Sequence, residues 1–124
     1  MVKVILHGCN GKMGQMVTEL CSQDEDIKIV AGIDAFHHQG AGEYPVYRDV
    51  YNSNITADAL IDFSTASAVD SLMDYCVEKK IPCVVCTTGL SEEQLERVRS
   101  AAEKIPVLRS ANMTLGINLL IKLL

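Results

Sequence analysis

Three glycines, Gly8, Gly11 and Gly14, stand three residues apart in Val4-Ile5-Leu6-His7-Gly8-Cys9-Asn10-Gly11-Lys12-Met13-Gly14. A short apolar run precedes them and an amphipathic pattern follows at once. The chemistry open to this arrangement is anion binding by main chain alone. A strand ends, the chain turns sharply, and residues without Cβ let the backbone approach a phosphate closely. The N–H groups at the helix start then face the anion, with the helix dipole behind them. Asn10 replaces the middle glycine of the commoner Gly-x-Gly-x-x-Gly spacing, and asparagine tolerates positive φ better than most residues. A tight strand-to-helix turn that holds no ligand is the structural alternative.

Asp34 lies twenty residues past Gly14, at the end of an apolar run over 27–33. An acid so placed accepts hydrogen bonds from the ribose hydroxyls of a bound dinucleotide; the alternative is a solvated turn aspartate. A carboxylate there repels a 2′-phosphate, which makes NADH the easier cofactor. Lys12, His37 or His38 are the groups that would accommodate the phosphate of NADPH. Adjacent His37 and His38 have no third ligand at metal spacing. The five cysteines, Cys9, Cys21, Cys76, Cys83 and Cys86, are odd in number and irregularly spaced, as free thiols are. Cys83-Val-Val-Cys86 has the C-x-x-C form, but on a strand an odd separation points the two thiols to opposite faces, and small buried hydrophobes are the expected role.

These residues need elements to position them. Strands are expected at 3–7, 27–33, 44–47, 59–64, 82–86 and 107–109. The first helix, about 11–23, carries the stripe Met13, Met16, Val17, Leu20 and Cys21, read as one buried face. Val69, Leu72, Met73, Cys76 and Val77 mark a second helix, closed by Lys79, Lys80 and Pro82. Ser91-Glu92-Glu93-Gln94 is a capping box opening a third helix to about 104. A final helix is expected at 115–124. Alternation of this kind predicts an α/β fold, a Rossmann-type doubly wound parallel sheet with helices on both faces. Ligands then sit at the carboxyl ends of strands, where Gly8, Asp34, Phe63, Thr87 and Asn112 all fall.

The whole chain, 124 residues with 48% hydrophobic and 22% charged content, is one globular domain, 1–124. A net charge of −5 argues against nucleic acid or an anionic membrane as main partner. The first apolar run is too short for a signal peptide, and no stretch is long enough to span a bilayer, so the cytoplasm is the expected address. The segment 117–124 is apolar on nearly every side, so further chain or an oligomer partner is expected to cover it.

Four stretches carry a resemblance: Gly8-Cys9-Asn10-Gly11-Lys12-Met13-Gly14, Asp62-Phe63-Ser64, Cys86-Thr87-Thr88-Gly89-Leu90 and Ser110-Ala111-Asn112-Met113-Thr114-Leu115-Gly116-Ile117-Asn118. With them the chain resembles the amino-terminal domain of the dihydrodipicolinate reductases, enzymes of lysine and diaminopimelate synthesis. The resemblance implies binding of NADH or NADPH by Gly8, Cys9, Asn10, Gly11, Lys12, Met13, Asp34, Cys86, Thr87, Thr88, Ser110, Ala111, Asn112 and Met113. It places the threonines and the Asn112 loop along the nicotinamide, with Thr88 also near the substrate. It implies a homotetramer, and reduction of a cyclic unsaturated dicarboxylate by hydride from the nicotinamide. The family's substrate-binding domain, with its histidine pair, lysine and Ser-Gly-Thr stretch, is absent from this sequence, as is the basic group that supplies a proton. This chain is therefore expected to bind cofactor with little turnover and to hold no catalytic residue. Cys9, Lys12, Cys86 and Met113 replace the family's usual alanine, arginine, glycine and phenylalanine, and Ala35 stands where NADPH-using members often have arginine. Cofactor preference is thus open.

Two other readings share the glycine turn and Asp34. One is another Rossmann oxidoreductase domain, of the semialdehyde or homoserine dehydrogenase type. The other is a nucleotide-sensing module without catalysis.

Overall fold

A computed structural model of the chain describes residues 2–34, 44–52, 55–87 and 89–109. The loop at 37–42, Thr88, the loop residues Ser110, Ala111, Asn112 and Met113, and the helix expected at 115–124 lie outside the described residues. Among those described, the order is β1 (Val2–His7), α1 (Lys12–Ser22), β2 (Ile27–Ile33), β3 (Val46–Tyr47), a 3-10 turn (Val50–Asn52), β4 (Ala59–Asp62), α2 (Ala66–Lys79), β5 (Cys83–Val85), α3 (Glu92–Ala102) and β6 (Val107–Arg109).

The strands form a parallel sheet in the order β3-β2-β1-β4-β5-β6. This is the order of a dinucleotide-binding sheet, with the chain reversing its direction of travel between β1 and β4. Side chains alternate between two cores. Ile5, Leu60, Cys83 and Val85 face one side with Val69, Leu72 and Cys76 of α2 and Val98 of α3. Val4, Leu6, Ile61 and Val84 face the other with Val17 and Cys21 of α1. Helices thus cover both faces, as the alternation of elements requires. Cys83 belongs to the first core and Cys86 packs against the second, so the C-x-x-C thiols point to opposite sides.

Local signals work as expected at several ends. Ser91 accepts from the Gln94 N–H while the Gln94 side chain accepts from the Ser91 N–H, completing the capping box. Helix α2 ends differently from its sequence reading. Lys80 adopts the left-handed conformation at φ 57°, and the Ile81 N–H reaches back to the Cys76 carbonyl at 2.9 Å. This is a Schellman closure without glycine, and it carries Ile81 into the core ahead of Pro82.

The stripe expected on α1 is corrected. Val17 and Cys21 are buried, but Met13, Met16 and Leu20 are 41%, 50% and 45% exposed. The face turned to the sheet is instead Gly14, Val17, Thr18 and Cys21. Thr18 can lie on it because its hydroxyl donates to the Gly14 carbonyl at 2.8 Å and shares a hydrogen bond with the Tyr44 hydroxyl. Glycine at position 14 sets this rotation. A Cβ there would stand on the Gly8 carbonyl oxygen and 2.7 Å from the Cys9 Cα, so only hydrogen lets α1 come this close to its own turn. Gly14→Ala is expected to cost about 2–3 kcal/mol of stability in urea unfolding, because the obstructing atoms are backbone and cannot repack. An unchanged midpoint would show that α1 shifts freely.

Candidate functional site

The turn after β1 is built by short contacts to both neighbouring strands. The Gly8 N–H donates to the Ile33 carbonyl at 2.6 Å, tying the turn to β2. Gly8 has φ +84°, and a Cβ on it would lie 2.6 Å from the Phe63 carbonyl oxygen after β4. Glycine is required here for both backbone angle and space. The Asn10 N–H donates to the Asp34 Oδ2 at 2.9 Å, and the Asn10 carbonyl accepts from the Gln15 side chain. Asp34 therefore orders the turn as well as standing at the strand end.

Gly11 is the N-cap of α1, with φ −75° and ψ 172°, and no side chain caps the helix. There is no acidic residue in its first turn. Contrast α3, where Ser91, Gln94, Glu92 and Glu93 satisfy and neutralise the same positive end. A Cβ on Gly11 would meet nothing closer than the Gly8 carbonyl oxygen at 3.6 Å. The space above this helix end is open, and it belongs to a cavity of about 580 Å³. Gly8, Asn10, Gly11 and Asp34 line that cavity together with Phe63, Ser64 and Thr65 after β4. It lies at the carboxyl ends of β2, β1 and β4, over the point where strand order reverses. Helix α2 also begins here, at Thr65, again without a side-chain cap on its first N–H groups.

The remaining expected residues lie elsewhere. Cys9 is buried against Gly32 and does not line the cavity. Burial and the Asp34 carboxylate push its thiol up to about 11, so it stays protonated at neutral pH. Lys12 and Met13 are exposed on the first turn of α1, outside the cavity lining. Cys86 is half-buried, with its thiol pushed up to about 11 by burial and by Asp62. Thr87 is buried at the end of β5.

Thr87 is nevertheless joined to the cavity wall through Asp62, a fully buried carboxylate that the sequence reading left unassigned. The Thr87 hydroxyl donates to Asp62 Oδ2 at 2.6 Å. The Ser64 N–H and hydroxyl donate to Asp62 Oδ1. The His7 Nδ1 lies 3.1 Å from the same oxygen, off the direction of a hydrogen bond. Burial pushes the Asp62 carboxyl up, but His7, Ser64 and Thr87 together outweigh it and hold the group below its usual value. One carboxylate thus gathers the ends of β1, β4 and β5 around the cavity. The sequence reading also missed Arg48, Ser64, Thr65, Ser67 and Ser71, which line the cavity as well. Ser67 and Ser71, four apart on α2, and the run of small hydroxyl residues after a strand were the available signals.

The match to the family model for the amino terminus of dihydrodipicolinate reductase runs over residues 2–113. The chain belongs to the dihydrodipicolinate reductase family. Within it, the 4-hydroxy-tetrahydrodipicolinate reductase of Clostridium tetani is 45% identical over all of this chain and 48% of its own length. That of Caldanaerobacter subterraneus is 46% identical over 99% of this chain and 48% of its own. The chain spans about half the length of the curated relatives it matches. Among solved structures, a dipicolinate-bound dihydrodipicolinate reductase from Paenisporosarcina sp. TG-14 superposes with a TM-score of 0.78 at 26% identity, over 99% of this chain and 52% of that one. An oxidoreductase from Agrobacterium radiobacter, 16% identical with a TM-score of 0.69 over 90% of this chain and 36% of its own, shares the fold. The family and the sheet order together make this a dinucleotide-binding domain of the reductase type. Among the described residues, no helix is long and apolar enough to cross a membrane.

Proposed function

We propose that this chain is the nicotinamide-nucleotide-binding domain of a 4-hydroxy-tetrahydrodipicolinate reductase. The observation that carries the reading is one cavity, at the strand-order reversal, lined by an uncapped helix end, an open Gly11 and the Asp34 carboxylate. Its volume suits a small-molecule site, and its parts suit the diphosphate and adenosine ribose of a dinucleotide. The diphosphate lies over the first N–H groups of α1, and Asp34 accepts from the ribose hydroxyls. The nicotinamide runs toward Thr87, Thr88 and the loop of Ser110, Ala111, Asn112 and Met113. When bound, the nicotinamide supplies the hydride. The chain's own contribution is to hold that ring in one orientation, with Asp62 fixing Thr87 at the end of β5. The dicarboxylate is gripped, and a proton supplied, by a second domain of the family. This chain alone therefore binds nucleotide with little turnover.

Fluorescence titration with NADH and NADPH tests this. Asp34→Ala is expected to weaken NADH by about 1–2 kcal/mol, five- to thirtyfold. Asp34 also holds the Asn10 N–H, so Asp34→Asn should recover part of the loss. Unchanged NADH affinity in Asp34→Ala would remove the ribose assignment.

A further inference from the structure

We infer that Arg48 is the residue that admits a 2′-phosphorylated adenosine ribose and so sets the balance between NADPH and NADH. The inference rests on the dinucleotide reading above. Strands β2 and β3 pair in parallel with Ile33 opposite Tyr47, and the Asp34 N–H donates to the Tyr47 carbonyl at 2.8 Å. Asp34 and Arg48 are the residues that follow this last pair, so their backbones leave two neighbouring strands that lie about 4.8 Å apart. Both line the same cavity, and Arg48 is its sole lysine or arginine among the described residues. The lining also holds Asp49, whose carboxylate accepts the Tyr51 N–H at 2.9 Å and so is turned to its own backbone. Arg48 is exposed and makes no ion pair among the described residues.

A ribose with a free 2′-hydroxyl needs only the acceptor that Asp34 provides. A 2′-phosphate at that place meets the negative charge of Asp34 and of Asp49. A planar guanidinium one strand away offsets that repulsion and can donate two parallel hydrogen bonds to the phosphate oxygens. Of the groups the sequence offers for the 2′-phosphate, Lys12 does not line the cavity, and His37 and His38 lie outside the described residues.

The experiment is a paired titration of the unaltered chain and Arg48→Gln with NADPH and NADH, backed by competition with 2′,5′-ADP and 5′-ADP. Arg48→Gln is expected to weaken NADPH and 2′,5′-ADP at least tenfold while NADH and 5′-ADP stay within twofold, and Arg48→Lys should fall between. Equal loss of both nucleotides, or no change in either, would overturn the role of Arg48 while leaving the dinucleotide site standing. Failure of the unaltered chain to bind either nucleotide would remove the site reading and this inference together.

Discussion

Gly11→Val is expected to abolish nucleotide binding without unfolding the chain. Gly11 has extended backbone angles that any residue adopts, and the nearest atom to a new Cβ is 3.6 Å away. A Cβ there therefore adds no backbone strain and meets only ordinary van der Waals contact, though valine is a poorer N-cap than glycine. The substitution puts two methyl groups over the start of α1, where the proposed diphosphate approaches the main chain. Loss of two charge-assisted hydrogen bonds costs roughly 3 kcal/mol or more, so affinity for NADH and NADPH should fall at least about 100-fold. Circular dichroism should match the unaltered chain, and the urea midpoint should fall only by the modest cost of a poorer N-cap, about 1 kcal/mol. Normal NADH binding by a folded Gly11→Val chain would show that the diphosphate lies elsewhere. Gly11 is the informative site because Gly8 and Gly14 are held by close backbone neighbours, and changes there would confuse loss of fold with loss of binding.

Asp62→Ala is expected to lower stability by roughly 3–5 kcal/mol, the range for removing one partner of a buried charged network. The Thr87 hydroxyl and the Ser64 N–H each lose an acceptor, and His7 loses the carboxylate 3.1 Å from its Nδ1, around a carboxyl that is itself fully buried. Asp62→Asn keeps size and one acceptor oxygen and should cost less. The effect also has a pH signature. The folded-state carboxyl lies below its unfolded value, so its contribution is fully present above the ordinary carboxylate pKa. That contribution fades as pH falls through the depressed folded value. Asp62→Asn should therefore show a flatter loss of stability on the acid side than the unaltered chain. Urea midpoints measured from neutral pH downward would check both points; a cost below about 1 kcal/mol for Asp62→Ala would mean that the strand ends hold together without it.

Much of the site's frame was legible in the residues. Glycines at 8, 11 and 14 between an apolar run and a helix left little room for anything but a tight strand-to-helix turn. The run 27–33 closing on Asp34 placed an acid at the neighbouring strand end, where it now lies hydrogen-bonded to the turn. The capping box at Ser91 and the parallel sheet followed from local chemistry and from alternation of periods. Such features are read from sequence because their causes are local: a backbone angle, a cap, a repeat of two or 3.6.

Other features depend on neighbours distant in the chain. Which side of α1 meets the sheet was settled by the space above Gly8 and by the Tyr44 hydroxyl that satisfies Thr18, and the simple apolar stripe through Met13, Met16 and Leu20 gave way to it. The burial of Cys9 follows from the absence of a side chain at Gly32 on the next strand. Arg48 carries no local sign of its importance, and the Asp62-Phe63-Ser64 stretch gives its acid no role. Asp62 matters because β1, β4 and β5 end together around it, and Arg48 because the register of β3 sets it beside Asp34. By itself, then, the sequence determined the turn, the elements and the kind of sheet. Only the tertiary structure decided which charged groups share the cavity, because strand register brings together residues that no local spacing relates.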